Sequence, residues 1–213
     1  GLRKIGMEYA WLYSTGDTGH LGVVTGGTTG RRGIVIAVID TGIDYLHGDL
    51  APNMWTNPDE IPGDGIDNDG NGIIDDIHGA DFCTHPRSGN PMDMDGHGTL
   101  VAGTIAAVGN NGQHVVGVSW HAKLMALKFM CYIDPNTHQL YGLMSDAIDA
   151  IVYATDKNAS VMNNSWHVAG SPPYLADLSN AIRRANCESS PTFLPSPGCL
   201  PALFVAAAGN ADG

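Results

Sequence analysis

The chain has 213 residues, 43% of them hydrophobic and 15% charged, enough for one large domain with a real core. Its 28 glycines and 12 prolines are scattered rather than periodic, which excludes a collagen-like or low-complexity chain, and no apolar run is long enough to span a membrane. Ten basic residues against 22 acidic ones leave a formal net charge of −12, a surface that repels phosphate backbones and argues against nucleic-acid binding.

Residues 1–32 are Gly/Thr-rich and weakly patterned, with a short helix expected around "MEYAWLY"; they read as a segment leading into a domain at 33–213. "GIVIAVID" (33–40) is a continuous apolar, β-branched run, the mark of a strand buried on both faces, and it ends on Asp40. Residues 48–96 read mostly as loop. Within them Asp59, Glu60, Asp64, Asp67, Asp69, Asp75, Asp76 and Asp81 crowd together, and such a cluster repels itself unless water or a cation separates the charges.

The core of that stretch, "DGIDNDGNGIIDD" (64–76), has the pattern of a cation loop inserted at about 59–81. Asp67, Asp69 and Asn71 alternate like the first oxygen ligands of a calcium loop, and Gly72 follows where a sharp turn is needed. Ile73 can offer its carbonyl, and Asp75 and Asp76 further carboxylates. His78 stands where an EF-hand needs Glu, so this is not an EF-hand. Calcium is the expected cofactor.

Further along, "HGTLVAGTIAAV" (97–108) predicts a helix and "KLMALKFM" (123–130) a strand. "LMSDAIDAIVYATDKNA" (143–159) predicts a helix with Ser145 as its N-cap, "SVMNNSW" (160–166) a strand, "YLADLSNAIRRAN" (174–186) a helix and "ALFVAAAGN" (202–210) a strand. This alternation predicts an α/β fold: a doubly wound, mostly parallel sheet with helices on both faces. Ligands of such sheets bind beyond the carboxyl ends of the strands, where Asp40 and Asn210 both fall. Both ends of the chain read as cut, so a fragment of a longer protein, truncated at the C-terminus, is expected.

His97 opens its helix between two glycines that leave the imidazole uncovered. An imidazole is the natural general base near neutrality, and it needs a partner that fixes its tautomer; a buried aspartate at a strand tip supplies one. Of the four cysteines, Cys187 and Cys199 bracket the Pro/Ser-rich "ESSPTFLPSPG". A bridge there would close a short loop, worth about 3 kcal/mol, and would point to secretion; the other reading is free thiols in a reducing compartment. No paired His or Cys spacing suggests zinc.

With these motifs in view, the chain resembles the subtilisin-like serine peptidases, or subtilases. "AVIDTGID", "DGHGTLVAGTIAA", "VMNNSW" and "FVAAAGN" follow one another in that family's order and context, over roughly residues 30–213, the N-terminal part of its catalytic domain. The resemblance implies a serine endopeptidase acting on polypeptides, with Asp40 and His97 as the first two members of an Asp–His–Ser triad. It implies that Asn210 donates its amide to the oxyanion, and that Ser165, Trp166 and His167 lie beside the bound peptide. His167 and Val168 replace the glycines usual in the family, which puts substrate preference in question. A second calcium site through Asp49 and Asn111 is also implied, as is a propeptide in the full-length protein. The family's serine sits in a Gly-Thr-Ser-type motif beyond the oxyanion Asn. No Gly-Thr-Ser occurs here, so this chain alone is expected to be inactive. The alternative is a non-catalytic, calcium-dependent peptide-binding member of the family.

Overall fold

A computed structural model describes residues 5–12, 33–113, 115–168, 175–188 and 200–208. In chain order its elements are α1 (Met7–Ala10), β1 (Val35–Asp40), β2 (Gly79–Asp81), α2 (His97–Ala106), β3 (Lys123–Lys128), β4 (Met130–Ile133), β5 (Leu140–Gly142), α3 (Met144–Asp156), β6 (Val161–Asn164), α4 (Leu175–Ala185) and β7 (Leu203–Ala206). Five strands form one parallel sheet in the order β2-β3-β1-β6-β7, with β1 at its centre.

The unbroken apolar run of β1 is explained by what covers it. Ala37 and Ile39 pack with Met125, Leu127 and Met162 into a cluster completed by Ala147, Ala150, Ile151 and Ala154 of α3 and Ala181 and Ala185 of α4. Their neighbours Ile36 and Val38 join Leu124 and Ala126 in a second cluster with Ala102 and Ala106 of α2. Successive residues of a strand point to opposite faces, so the two clusters lie on the two sides of the sheet. Both faces are covered by helices, as the strand–helix alternation predicts. Alanine dominates the helical contribution, which lets each helix lie close against the strands.

The predicted elements are all present, each slightly shorter than its apolar pattern. The helix after His97 stops at Ala106 because Ala107 is extended and Gly109 passes under the Trp120 indole, where any Cβ would collide. Ser145 does not cap α3. It lies inside the first turn, Leu143 is the N-cap, and no side chain caps that end. Just after α1, the Trp11 ring lies tilted against Trp120 with centroids 5.1 Å apart, and its Nε1–H donates to the Val118 carbonyl at 2.9 Å. Among the described residues no helix is long and apolar enough to cross a membrane.

Three features had no signature in the sequence. Strand β2 is only three residues long, and Gly79, at φ +124°, presses so close to the Ala126 carbonyl that a side chain could not fit. Strands β4 and β5 pair as a small antiparallel ribbon beside the main sheet. Cys83, just beyond β2, is disulfide-bonded to Cys131 in β4. That bond and the Phe82 N–H donating to the Lys128 carbonyl at 2.7 Å tie the end of the acidic segment to the strand beside it. Cys187 is disulfide-bonded as well; Cys199, its expected partner, lies outside the described residues.

Cys83 and Cys131 are 48 residues apart in sequence, so their bridge restricts the unfolded chain by about 4 kcal/mol in the chain-entropy account. Replacing both with Ser is expected to lower the unfolding free energy, measured in denaturant, by about 2–4 kcal/mol. A loss below about 0.5 kcal/mol would mean the hydrogen bonds hold β2 without the bridge.

Candidate active site

The carboxyl end of β1 is where the chain must turn out of the sheet. Asp40 is the last residue of the strand and is wholly buried. The turn that follows is possible because Gly42, at φ +104°, runs against the Pro91 carbonyl with no room for a Cβ. From the other side, α2 starts after Gly96, at φ +109°, and brings Gly98 against the Gly42 carbonyl so closely that a side chain there would collide. The Gly98 N–H donates to Thr41 Oγ1 at 2.8 Å. This close approach of helix to strand end sets His97 beside Asp40, and His97 Nδ1–H donates to Asp40 Oδ1 at 2.7 Å.

Thr41 N–H donates to the same carboxylate oxygen, also at 2.7 Å, while Asp40 Oδ2 has no partner among the described residues. Burial raises the Asp40 pKa above its ordinary value, and the hydrogen bond and charge of His97 pull the other way without cancelling it. The ionised carboxylate accepts from Nδ1, so Nε2 is left with its lone pair. No described residue bonds Nε2, and the imidazole is 46% exposed. This pair can take a proton from a hydroxyl and hold the resulting imidazolium against a fixed negative charge.

Behind His97 stands a residue the sequence analysis passed over. Asp93 Oδ1 accepts the N–H groups of Asp95 (3.0 Å) and Gly96 (2.9 Å), and its Oδ2 accepts Thr99 N–H (3.0 Å) and Thr99 Oγ1–H (2.6 Å). Thr99 Oγ1 in turn accepts Asp44 N–H at 2.9 Å. One carboxylate thus serves the free N–H groups at the start of α2 and ties that helix to the loop after Asp40. Burial works to raise the Asp93 pKa, but these hydrogen bonds outweigh it and hold the carboxyl below its usual range. An Asp four positions before the helix His was the available signal.

On β6, Asn163 Nδ2–H donates to Ser165 Oγ at 2.9 Å. The Trp166 ring meets Phe129 edge-on, with centroids 5.1 Å apart, and His167 is exposed. Asn210 lies outside the described residues.

In the acidic loop the expected ligands divide. Asp67 and Asp69 come together with Glu60, each offering an oxygen within 4.8 Å of the others. Glu60 was not among the expected ligands, yet it is 6% exposed and its Oε2 has no hydrogen-bond partner among the described residues. A buried carboxylate with one unpaired oxygen, grouped with two further carboxylates, fits a hard divalent cation such as calcium. Asn71, Asp75 and Asp76 use their side chains elsewhere: Asn71 bonds Ile73 N–H and Asp76, Asp75 accepts from the backbone of Gly63 and Gly65, and Asp76 accepts from Asn57, Asn71 and Tyr153. The Ile73 side chain is buried in the core. Asp49, buried, meets Asn111, whose Nδ2–H donates to Asp49 Oδ1 at 2.6 Å.

The model of the Subtilase family matches residues 31–213. The chain belongs to that family. It is 44% identical over 132 residues to Subtilisin-like protease 1 of Plasmodium vivax, covering 62% of this chain and 20% of that protein. It is 34% identical over 183 residues to the thermophilic serine proteinase of Bacillus sp. (strain AK1), covering 86% of this chain and 34% of that one. Among solved structures, the serine protease of Aeromonas sobria, in complex with its chaperone, shares the fold with a TM-score of 0.53 at 23% identity, over 84% of this chain and 25% of that chain. This subtilase chain therefore spans about a fifth to a third of the length of these curated relatives.

The raised pKa of Asp40 has a consequence for stability. Below pH 3.8 the carboxyl is protonated whether the chain is folded or not; above it the unfolded chain gives up the proton before the folded one does, so ionising Asp40 costs native stability from there upward. Asp40→Asn is therefore expected to melt no lower than wild type at pH 7, with any advantage vanishing below pH 3.8. A clear drop in melting temperature at pH 7 would mean the His97 contact outweighs the burial.

Proposed function

We propose that this chain carries the aspartate and histidine of a subtilisin-type serine endopeptidase whose nucleophilic serine lies beyond Gly213. The single observation that supports this most is the 2.7 Å contact between His97 Nδ1 and a fully buried Asp40 at the carboxyl rim of a parallel sheet. In the proposed reaction His97 Nε2 takes the proton of the serine hydroxyl as its oxygen attacks the scissile carbonyl. Asp40 holds the ring in the Nδ1–H tautomer and faces the imidazolium that forms. Asn210 donates its amide to the oxyanion of the tetrahedral intermediate. His97 then returns the proton to the departing amine, and water hydrolyses the acyl-enzyme by the same steps in reverse.

The substrate is read as an extended polypeptide lying along β6 and the segment of Ser165, Trp166 and His167. Residues 33–213 are read as part of the catalytic domain, entered from the segment 1–32, with a propeptide in the whole protein. Calcium is read as bound in the acidic loop by Glu60, Asp67 and Asp69, where it would neutralise clustered carboxylates, and at a second place by Asp49 with Asn111. The bridged Cys83–Cys131 pair and the bridged Cys187 favour a secreted protein or one in the secretory pathway.

The test is kinetic and uses the full-length protein with a peptide substrate. His97→Ala is expected to lower kcat by about 10⁶-fold, the scale at which loss of the base disables subtilisin. Wild-type kcat/KM is expected to rise with pH as an imidazole loses its proton. A rate flat from about pH 5 to 9 would remove His97 from the role of base.

A further inference from the structure

The acidic loop already holds a positive charge of its own. Lys157, the C-cap residue of α3, reaches across to Asp69, and its Nζ donates to Asp69 Oδ2. Both side chains are nearly sealed from water, 11% and 9% exposed. The same oxygen accepts from Asn57 Nδ2 at 2.9 Å, and that amide also donates to Asp76 Oδ1 at 2.8 Å. One turn earlier on α3, Tyr153 O–H donates to Asp76 Oδ2 at 2.6 Å. The loop is therefore clamped to α3 at two points, and one clamp is an ion pair made by a member of the Glu60–Asp67–Asp69 cluster. Burial alone would raise the Asp69 pKa; the hydrogen bonds of Lys157 and Asn57 and the Lys157 charge more than reverse this.

Resting on the reading of this loop as a calcium site, we propose that the Lys157 ammonium is its resident counter-charge, competing with calcium for Asp69. It holds the loop folded when calcium is absent and lowers calcium affinity when calcium is present. The physics is like-charge repulsion at short range. A calcium ion ligated by Asp69 stands about 2.4 Å from its oxygen, within a few ångströms of an ammonium that shares that carboxylate. With little water between them the repulsion is weakly screened, so the ammonium must withdraw or the ion binds less tightly. The loop belongs to the amino rim of the sheet, where Trp55 N–H donates to the Leu124 carbonyl near the start of β3, whereas Asp40 and His97 lie at the carboxyl rim. The exchange of Lys157 for calcium thus acts on folding of the loop and not on the proton chemistry.

The experiment uses calcium chloride titrated calorimetrically into the full chain, with melting curves in EDTA and in calcium. Lys157→Gln keeps an N–H donor for Asp69 but removes the charge. It is expected to bind calcium about tenfold more tightly than wild type, to melt lower in EDTA, and to recover most of that difference in calcium. Lys157→Arg, which keeps the charge, is expected to bind within about twofold of wild type. A Lys157→Gln dissociation constant equal to or weaker than wild type overturns the proposal. A second readout needs no variant: acetylation of Lys157 in wild type, followed by mass spectrometry, is expected to run several-fold faster in calcium than in EDTA. Equal or slower labelling also overturns it. If wild type shows no calcium heat and Glu60→Gln changes nothing, the calcium reading itself has failed, which differs from calcium binding with Lys157 unaffected.

Discussion

The junction of β1 and α2 is built around a carboxylate kept out of water at the end of the central strand. Asp40 is fully buried, one of its oxygens has no partner among the described residues, and its pKa is raised by that burial. Buried charge is unfavourable unless something meets it. Here one imidazole and one backbone N–H do so, which requires α2 to start within hydrogen-bond reach of the strand tip. The glycines at 42 and 98 follow from this requirement, because there the helix start and the strand end come closer than any side chain would allow, while Gly96 supplies the left-handed φ of +109° from which the helix sets out. Asp93 and Thr99 then hold the helix in that position from outside the pair.

The second concentration of negative charge is handled by different means. The loop between Trp55 and Gly79 satisfies most of its carboxylates with its own backbone N–H groups. Two of the remaining charges are taken up by α3, through Lys157 and Tyr153. Among the described residues, Glu60 Oε2 is the oxygen left over in the Glu60–Asp67–Asp69 cluster. The two sites sit at opposite rims of the sheet, and β2 and β3 join them: β2 continues from the loop, and Asp81 at its end lies 3.8 Å from Lys128, which pairs with Asp40 across the strands.

Legibility in the sequence followed the physics of each part. Strands β1 and β3 and the main helices were readable because burial on one or two faces imposes an apolar pattern long enough to detect. Asp40 and His97 were readable because a polar residue ending such a run, and a histidine between glycines opening a helix, each break the pattern in an informative way. Strand β2 was not, since three residues inside an acidic loop carry no period. The Cys83–Cys131 bridge joins positions that no local spacing relates. Glu60 was missed as a candidate ligand because it lies before the alternating Asp67-Asn68-Asp69 run, and only the folded loop returns it to those residues. Lys157 reads as an ordinary helix-end cation until the chain is folded.

The central claim is that Asp40 and His97 are poised to activate a serine not contained in these residues. It is tested most directly by treating the full-length protein with a fluorophosphonate, which reacts with an activated serine hydroxyl, and locating the adduct by peptide mapping. The account predicts a single labelled serine on the C-terminal side of Asn210, with labelling lost in His97→Ala. A label on a serine within residues 1–213, or labelling unchanged by loss of His97, would contradict it.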